Sequence, residues 1–178
     1  AAQANPLSAG GVIALADRFS GVDARWSWEG SLAGRPAEVA VGIDLERQRQ
    51  HRRGFENFDG PNLGVHGALR RDERNRVQAV DQYAQAWWQV SPQWSILLGA
   101  RHSTVRFAAS DDYVTAGNPD DSGRVRHAQT TPVAGLVYAP GENLRLYLSA
   151  GRGFETPTFN ELGYRADGAS GLALDLRP

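Results

Sequence analysis

The sequence predicts an all-β chain: an antiparallel up-and-down meander that forms part of a large transmembrane β-barrel. Three observations carry this. First, several segments alternate between two faces with period two. In one, Leu144, Leu146, Leu148 and Ala150 fall on one side and Arg145, Tyr147, Ser149 and Gly151 on the other. Second, the connections are alternately short and long. Turn chemistry at 33–36, 92–93 and 140–143 lies at one end of the ladder, and polar runs at 50–76 and 110–124 lie at the other. Short periplasmic turns opposite long extracellular loops are the plan of outer-membrane barrels. Third, Trp26, Trp28, Trp88, Trp94 and Tyr138 stand near strand ends, where an interfacial girdle needs them. A soluble β-sandwich, in which two such faces pack together, uses the same alternation.

The elements follow in order. Residues 11–20 form a first strand, and 22–32 a second that sets Trp26, Trp28 and Leu32 against Arg25, Ser27, Glu29 and Ser31. A tight turn over 33–36 leads to a strand at 37–50, with Val39, Val41, Ile43 and Leu45 on one face. Residues 50–76 carry glycine, proline, asparagine and clustered charge, the chemistry of a loop. A structureless connection of that length counts against a compact soluble domain. Strands at 78–91 and 94–108 flank the turn at Pro92 and Gln93. In the second, Trp94, Ile96, Leu98 and Ala100 face lipid, while Ser95, Leu97, Gly99 and Arg101 face the lumen. A polar loop spans 110–124, a strand runs around 126–139, and the strand at 144–151 follows the last short turn. Pro157 then prevents a simple continuation of that strand.

Composition sets further limits. Cysteine is absent, so no disulfide, thiolate metal site or thiol nucleophile is available. The net charge of −1 gives no reason to expect a nucleic-acid partner. All 19 basic residues are arginine, which a GC-rich genome explains most simply. No stretch approaches the run of about 18 apolar residues that a membrane helix needs. Barrel strands escape that criterion because only alternate residues meet lipid. With no methionine and no apolar leader before the first strand, residues 1–178 are expected to be one partial β-barrel domain of a larger protein.

The string GRGFETPTFNEL at 151–162, preceded by LRLYLSA and followed by YRADG and GLALDLRP, resembles the late-barrel signature of TonB-dependent outer-membrane receptors. SPQWSILLGARHSTVRF, TTPVAGLVYAPGENLRLYLSAGRGF and DQYAQAWWQV resemble other strands of that family, in the family's order. The resemblance implies an N-terminal plug inside a barrel of about 22 strands, and a location in the bacterial outer membrane. It also implies coupling to TonB, contact with lipopolysaccharide, and energy-driven uptake of a scarce small-molecule ligand. Ferric siderophores and other ferric chelates are the commonest cargo. The GRGFETPTFNEL wording is also similar to the receptor subgroup that takes up pyrroloquinoline quinone.

No enzyme is expected, and no cofactor, catalytic residue or metal site is assigned. His51, His66, His102 and His127 show no metal-ligand spacing. Ser103 and His102 are strand neighbours that point to opposite faces. The doublets Asp111–Asp112 and Asp120–Asp121 match no EF-hand loop and read as solvated loop acids. The arginines are more suggestive. Arg47, Arg49, Arg52 and Arg53 leave one strand, and Arg70, Arg71, Arg74 and Arg76 approach the next. Paired as a hairpin, these place eight guanidinium groups at one loop base, partly neutralised by Glu56, Asp72 and Glu73. Such groups hold phosphates or carboxylates by bidentate hydrogen bonds; an ordinary solvated loop base has the same composition. Arg52, Arg53, Arg70, Arg71 and Arg152 are the candidate ligand-binding residues. Glu155, Thr156, Asn160 and Glu161 either line the lumen beside Arg152 or close the strand.

Overall fold

The computed structural model of the protein describes residues 11–162, together with 173 and 176. Its strands are β1 (Val12–Leu32), β2 (Arg35–Phe55), the short β3 (Phe58–Asp59) and β4 (Asn62–Leu63), β5 (Leu69–Gln89), β6 (Trp94–Asp111), β7 (Gly123–Gly141) and β8 (Leu144–Gly151). A single helical turn, α1 (Phe159–Leu162), follows. The long strands form one six-stranded antiparallel sheet in the order β1-β2-β5-β6-β7-β8, a meander without crossovers. β3 and β4 pair with each other in a small hairpin inside the first long loop. Among the described residues no second large sheet lies against this one, so the sandwich arrangement is not formed.

Two boundaries differ from the sequence reading. β1 runs unbroken through Gly21, where two strands are expected from the sequence; the ladder to β2 continues across Gly21↔Glu46 without a slip. The polar run at 50–76 is mostly strand, because β2 reaches Phe55 and β5 starts at Leu69. Charged side chains mark a loop only where the backbone lacks partners. Here residues 50–54 pair with 71–75 across β2 and β5, and the ladder is interrupted only where Gly54↔Arg71 gives way to Phe55↔Leu69.

The rims are unequal, as expected. β1 and β2 are joined by Ala33 and Gly34, with φ of 51° and 73°. Two successive left-handed residues match the tight hairpin turn whose twist suits its flanking strands. Glu142 and Asn143 join β7 to β8, and 90–93 join β5 to β6. The opposite rim carries 56–68 and 112–122. β8 is short for an identifiable reason. The Pro132 carbonyl accepts from the Arg152 amide at 3.1 Å, but proline has no N–H to return, so the ladder ends at Val133↔Gly151.

Register sorts every side chain. One face carries Val22, Trp26, Trp28, Val39, Val41, Leu45, Ala84, Ala86, Trp88, Trp94, Ile96, Leu98, Leu136, Leu146 and Leu148. Many of these are open to the surroundings: Leu98 is 53% exposed and Leu148 71%. Exposed apolar side chains arranged as a continuous band are the outer wall of a membrane barrel. The opposite face carries Asp23, Arg25, Glu29, Glu38, Asp44, Glu46, Asp81, Gln85 and Arg101, as the water-filled side of such a wall requires. The band is edged by aromatics on the short-turn side. Trp94 stacks on Tyr138 with centroids 4.4 Å apart, and the Trp88 indole N–H donates to the Leu32 carbonyl at 3.2 Å.

Candidate functional site

The interior face has two levels. At the waist, Asp23, Asp44 and Asp81 stand side by side on β1, β2 and β5. Their counter-charge comes from β6, where Arg101 donates to Asp81 at 2.6 Å and reaches Asp44 at 3.4 Å. Gly42 nearby keeps room for Tyr83 to lie across it; a Cβ there would clash with the phenol ring. Replacing Arg101 by glutamine leaves the row of carboxylates without its cation. Charged hydrogen bonds contribute about 1.5–3 kcal/mol, and the half-exposed guanidinium here lowers that to about 1 kcal/mol. Denaturant titration of the protein in lipid bilayers measures the loss; a midpoint unchanged from wild type would show that water alone screens the row.

At the upper level the interior face becomes apolar. Phe107 is buried with Val77, Val105, Ala109 and Val125, and Leu162 of α1 closes over it with no exposed surface. The signature segment thus leaves the sheet after Gly151 and returns over the interior. A reciprocal cap starts its helical turn. The Thr158 hydroxyl accepts from the Glu161 amide at 3.2 Å, while the Glu161 carboxylate accepts from the Thr158 amide at 2.7 Å. The two Thr158 donors hold the Glu161 carboxyl below the usual carboxylate range. Glu161 is therefore structural, and the Asn160 side chain lies outside the described residues. So do YRADG and GLALDLRP, apart from Ala173 and Leu176.

Arg152 lines a recess of about 460 Å³ with His127, Gln129, Phe154 and Glu155. His127 is buried edge-on to Phe107 at 6.1 Å, and its Nε2 has no hydrogen-bond partner among the described residues. Nothing in the sequence distinguishes His127 from the other three histidines; only the fold of 152–162 brings a wall against it.

The eight arginines at the first long loop do not form one cluster, because adjacent strand residues face opposite ways. Arg52 and Arg71 point inward. Arg71 bridges Glu73 at 2.8 Å, and burial pushes the Glu73 carboxyl above its ordinary range against the pull of Arg71 and Arg52. Arg47, Arg49, Arg53, Arg74 and Arg76 share the outer face. Arg53 lies 6.0 Å from the Phe55 ring centroid, and Arg70 sits at the irregularity where Gly54↔Arg71 gives way to Phe55↔Leu69. Of the candidate ligand-binding residues, the structure therefore brings Arg52 and Arg71 together inside, and places Arg152 in a recess of its own.

The acidic doublets serve the second long loop. The Asp111 carboxylate accepts from the Tyr113 amide at 2.9 Å, Asp120 accepts from the Ser122 amide at 2.9 Å, and Asp112 pairs with Arg74 at 2.6 Å. Among the described residues no group of three or more metal-ligating side chains converges.

A polar interior face, an apolar outer band with aromatic edge, unequal rims and a segment folded back over the interior together describe the wall of a membrane barrel. Residues 2–178 match the family model described as TonB dependent receptor-like, beta-barrel. The chain belongs to this family. TonB-dependent receptors are outer-membrane transporters rather than enzymes, and the arrangement of this wall accords with that. Family membership accords with the antiparallel meander. It leaves the cargo to be argued from the interior side chains.

Proposed function

We propose that the receptor containing this wall takes up a ferric siderophore or other iron chelate by TonB-coupled transport. Residues 1–178 form part of its barrel, with the plug domain and the TonB-contacting box elsewhere in the receptor and lipopolysaccharide surrounding it. The observation that carries the cargo class is the inward pair Arg52 and Arg71 beside the loop rim, with Arg152 below. Guanidinium groups at a water-filled entrance suit anionic, oxygen-rich ligands such as ferric chelates. A second cargo, pyrroloquinoline quinone, is favoured by the same arginines, since its carboxylates suit them equally, and by the wording of the signature segment.

Growth of a receptor-deletion strain on single iron chelates, with and without the restored gene, tests the first reading. The expected result is growth on at least one chelate only when the receptor is present, reduced at least tenfold in uptake rate by Arg52→Gln with Arg71→Gln. The same strains, made unable to synthesise pyrroloquinoline quinone, test the second through rescue by the added cofactor. Receptor-independent growth on every chelate, together with receptor-dependent rescue by the cofactor, would replace the first cargo with the second.

A further inference from the structure

We propose that Glu73 is an internal competitor for the cargo: a tethered carboxylate on the inward pair Arg52 and Arg71 that admits only anions with two or more charged groups, given the anionic-cargo reading above. The register sets the three side chains together. Arg52 on β2 stands directly opposite Glu73 on β5, and Arg71 is the next residue of the same face along β5. Arg52 and Arg71 are therefore diagonal neighbours, about 7–8 Å apart at the backbone and within reach of long side chains. The Arg71 Nε donates to the Glu73 Oε1 at 2.8 Å. This level stands beyond Val80, where the outer face of β5 changes from apolar to Gln78, Arg76 and Arg74, so it lies above the bilayer at the mouth of the lumen.

Three features distinguish Glu73 from an ordinary surface partner. Its side chain is 13% exposed against 28% for Arg71, so the guanidinium still meets the lumen while the carboxylate scarcely does. The other acid facing it, Asp111 directly across on β6, is committed to its own loop, where it accepts from the Tyr113 amide at 2.9 Å. Arg52, Arg71 and Asp111 are the charged groups that face Glu73 from β2, β5 and β6, so one carboxylate serves two guanidinium groups. Finally, Asn75, the next residue of that face, hydrogen-bonds the Glu73 carboxylate yet keeps a buried Oδ1 without a partner among the described residues. The neutral acid is the form of Glu73 that has an O–H for such an oxygen. Burial pushes the Glu73 carboxyl above its ordinary range, Arg71 and Arg52 pull it down, and Asp111 pushes it up. A tethered carboxylate competes at an effective concentration of about millimolar order. A ligand with one anionic group merely exchanges one contact for another. A ligand with two such groups, such as a polycarboxylate chelate, gains its second guanidinium contact intramolecularly and displaces Glu73. Protonation removes the competitor, so affinity for an anion of fixed charge rises as pH falls through the Glu73 titration.

Fluorescence anisotropy of pyrene tetrasulfonate on the purified full receptor tests this, because sulfonates stay ionised in both mildly acidic and mildly alkaline buffer. The binding counted is that lost in Arg52→Gln with Arg71→Gln. Wild type is expected to bind at least fivefold tighter in the acidic buffer. Glu73→Gln should bind equally in both, and at least fivefold tighter than wild type in the alkaline one. There, ethanedisulfonate should displace the probe from wild type at a concentration at least tenfold below methanesulfonate, and Glu73→Gln should narrow that gap. His51→Gln, on the outer face, should keep the wild-type pH profile. A flat wild-type profile overturns the proposal even if Glu73→Gln fails to assemble. So does pH dependence retained by Glu73→Gln or lost in His51→Gln, or equal displacement by the two sulfonates on wild type. Absence of arginine-dependent binding in either buffer overturns the anionic-cargo reading as well, whereas a flat profile that still needs the arginines leaves that reading standing.

Discussion

Replacing Leu98 by arginine in the full receptor is expected to lower its stability in bilayers by about 2–4 kcal/mol, the cost of a cation near the midplane of a barrel's lipid face. Leu98 stands between Ala86 and Ala134 on the outer face, two rows above the Trp94–Tyr138 stack. Its alanine neighbours leave it half exposed, so the loss comes from contact with lipid and not from a collapsed protein core. The matched control is Gln85→Arg, on the interior face one strand away, where water is present and the change should stay within about 0.5 kcal/mol. Guanidinium titration followed by tryptophan fluorescence measures both. Equal effects at the two positions would invert the assignment of faces.

Replacing Phe107 by alanine is expected to cost about 3 kcal/mol, the lower end for deleting a buried phenyl group, because its cluster is small. The more specific consequence is local. Phe107 is the surface on which Leu162 is buried, so α1 should detach and the segment 152–162 should become sensitive to protease and to rapid hydrogen exchange. Phe107→Leu keeps most of the volume and should cost less than about 1.5 kcal/mol. An exchange pattern over 152–162 that is identical in the alanine variant and wild type would show that the segment is held by something other than this contact.

The waist of the wall was readable from the residues because only there do the two faces differ in kind. Trp94, Ile96, Leu98 and Ala100 against Ser95, Gly99 and Arg101 give the register directly. Above the bilayer that contrast disappears. Arg52 and Arg53 look alike in sequence, yet one points into the lumen and the other outward, and only continuous pairing from Arg35 to Phe55 reveals it. The charged stretch around 50–76 therefore resembles a loop although most of it is strand. The contact between Phe107 and Leu162 had no local signal at all, since the chain between them makes a loop, two strands and a return before the side chains meet. His127 acquires its burial in the same way. The cap at Thr158 and Glu161 was present as a short motif, but its role in starting a turn needed the strand to end first.

The β1–β2 ladder runs from Val12↔Phe55 to Leu32↔Arg35 with no bulge. This makes length a stricter heritable property of the wall than composition. Side chains alternate, so losing or gaining one residue within either strand exchanges the faces beyond that point. Aspartates meant for water would enter lipid, and the outer arginines would turn inward. Changes by two residues preserve the faces and shift only the height of the girdle. The connections at 56–68 and 112–122 have no such parity to keep, and the two-residue turn at Ala33 and Gly34 has no slack with which to absorb an error. Diversification of this wall is thus channelled to its outer rim, where cargo is first met.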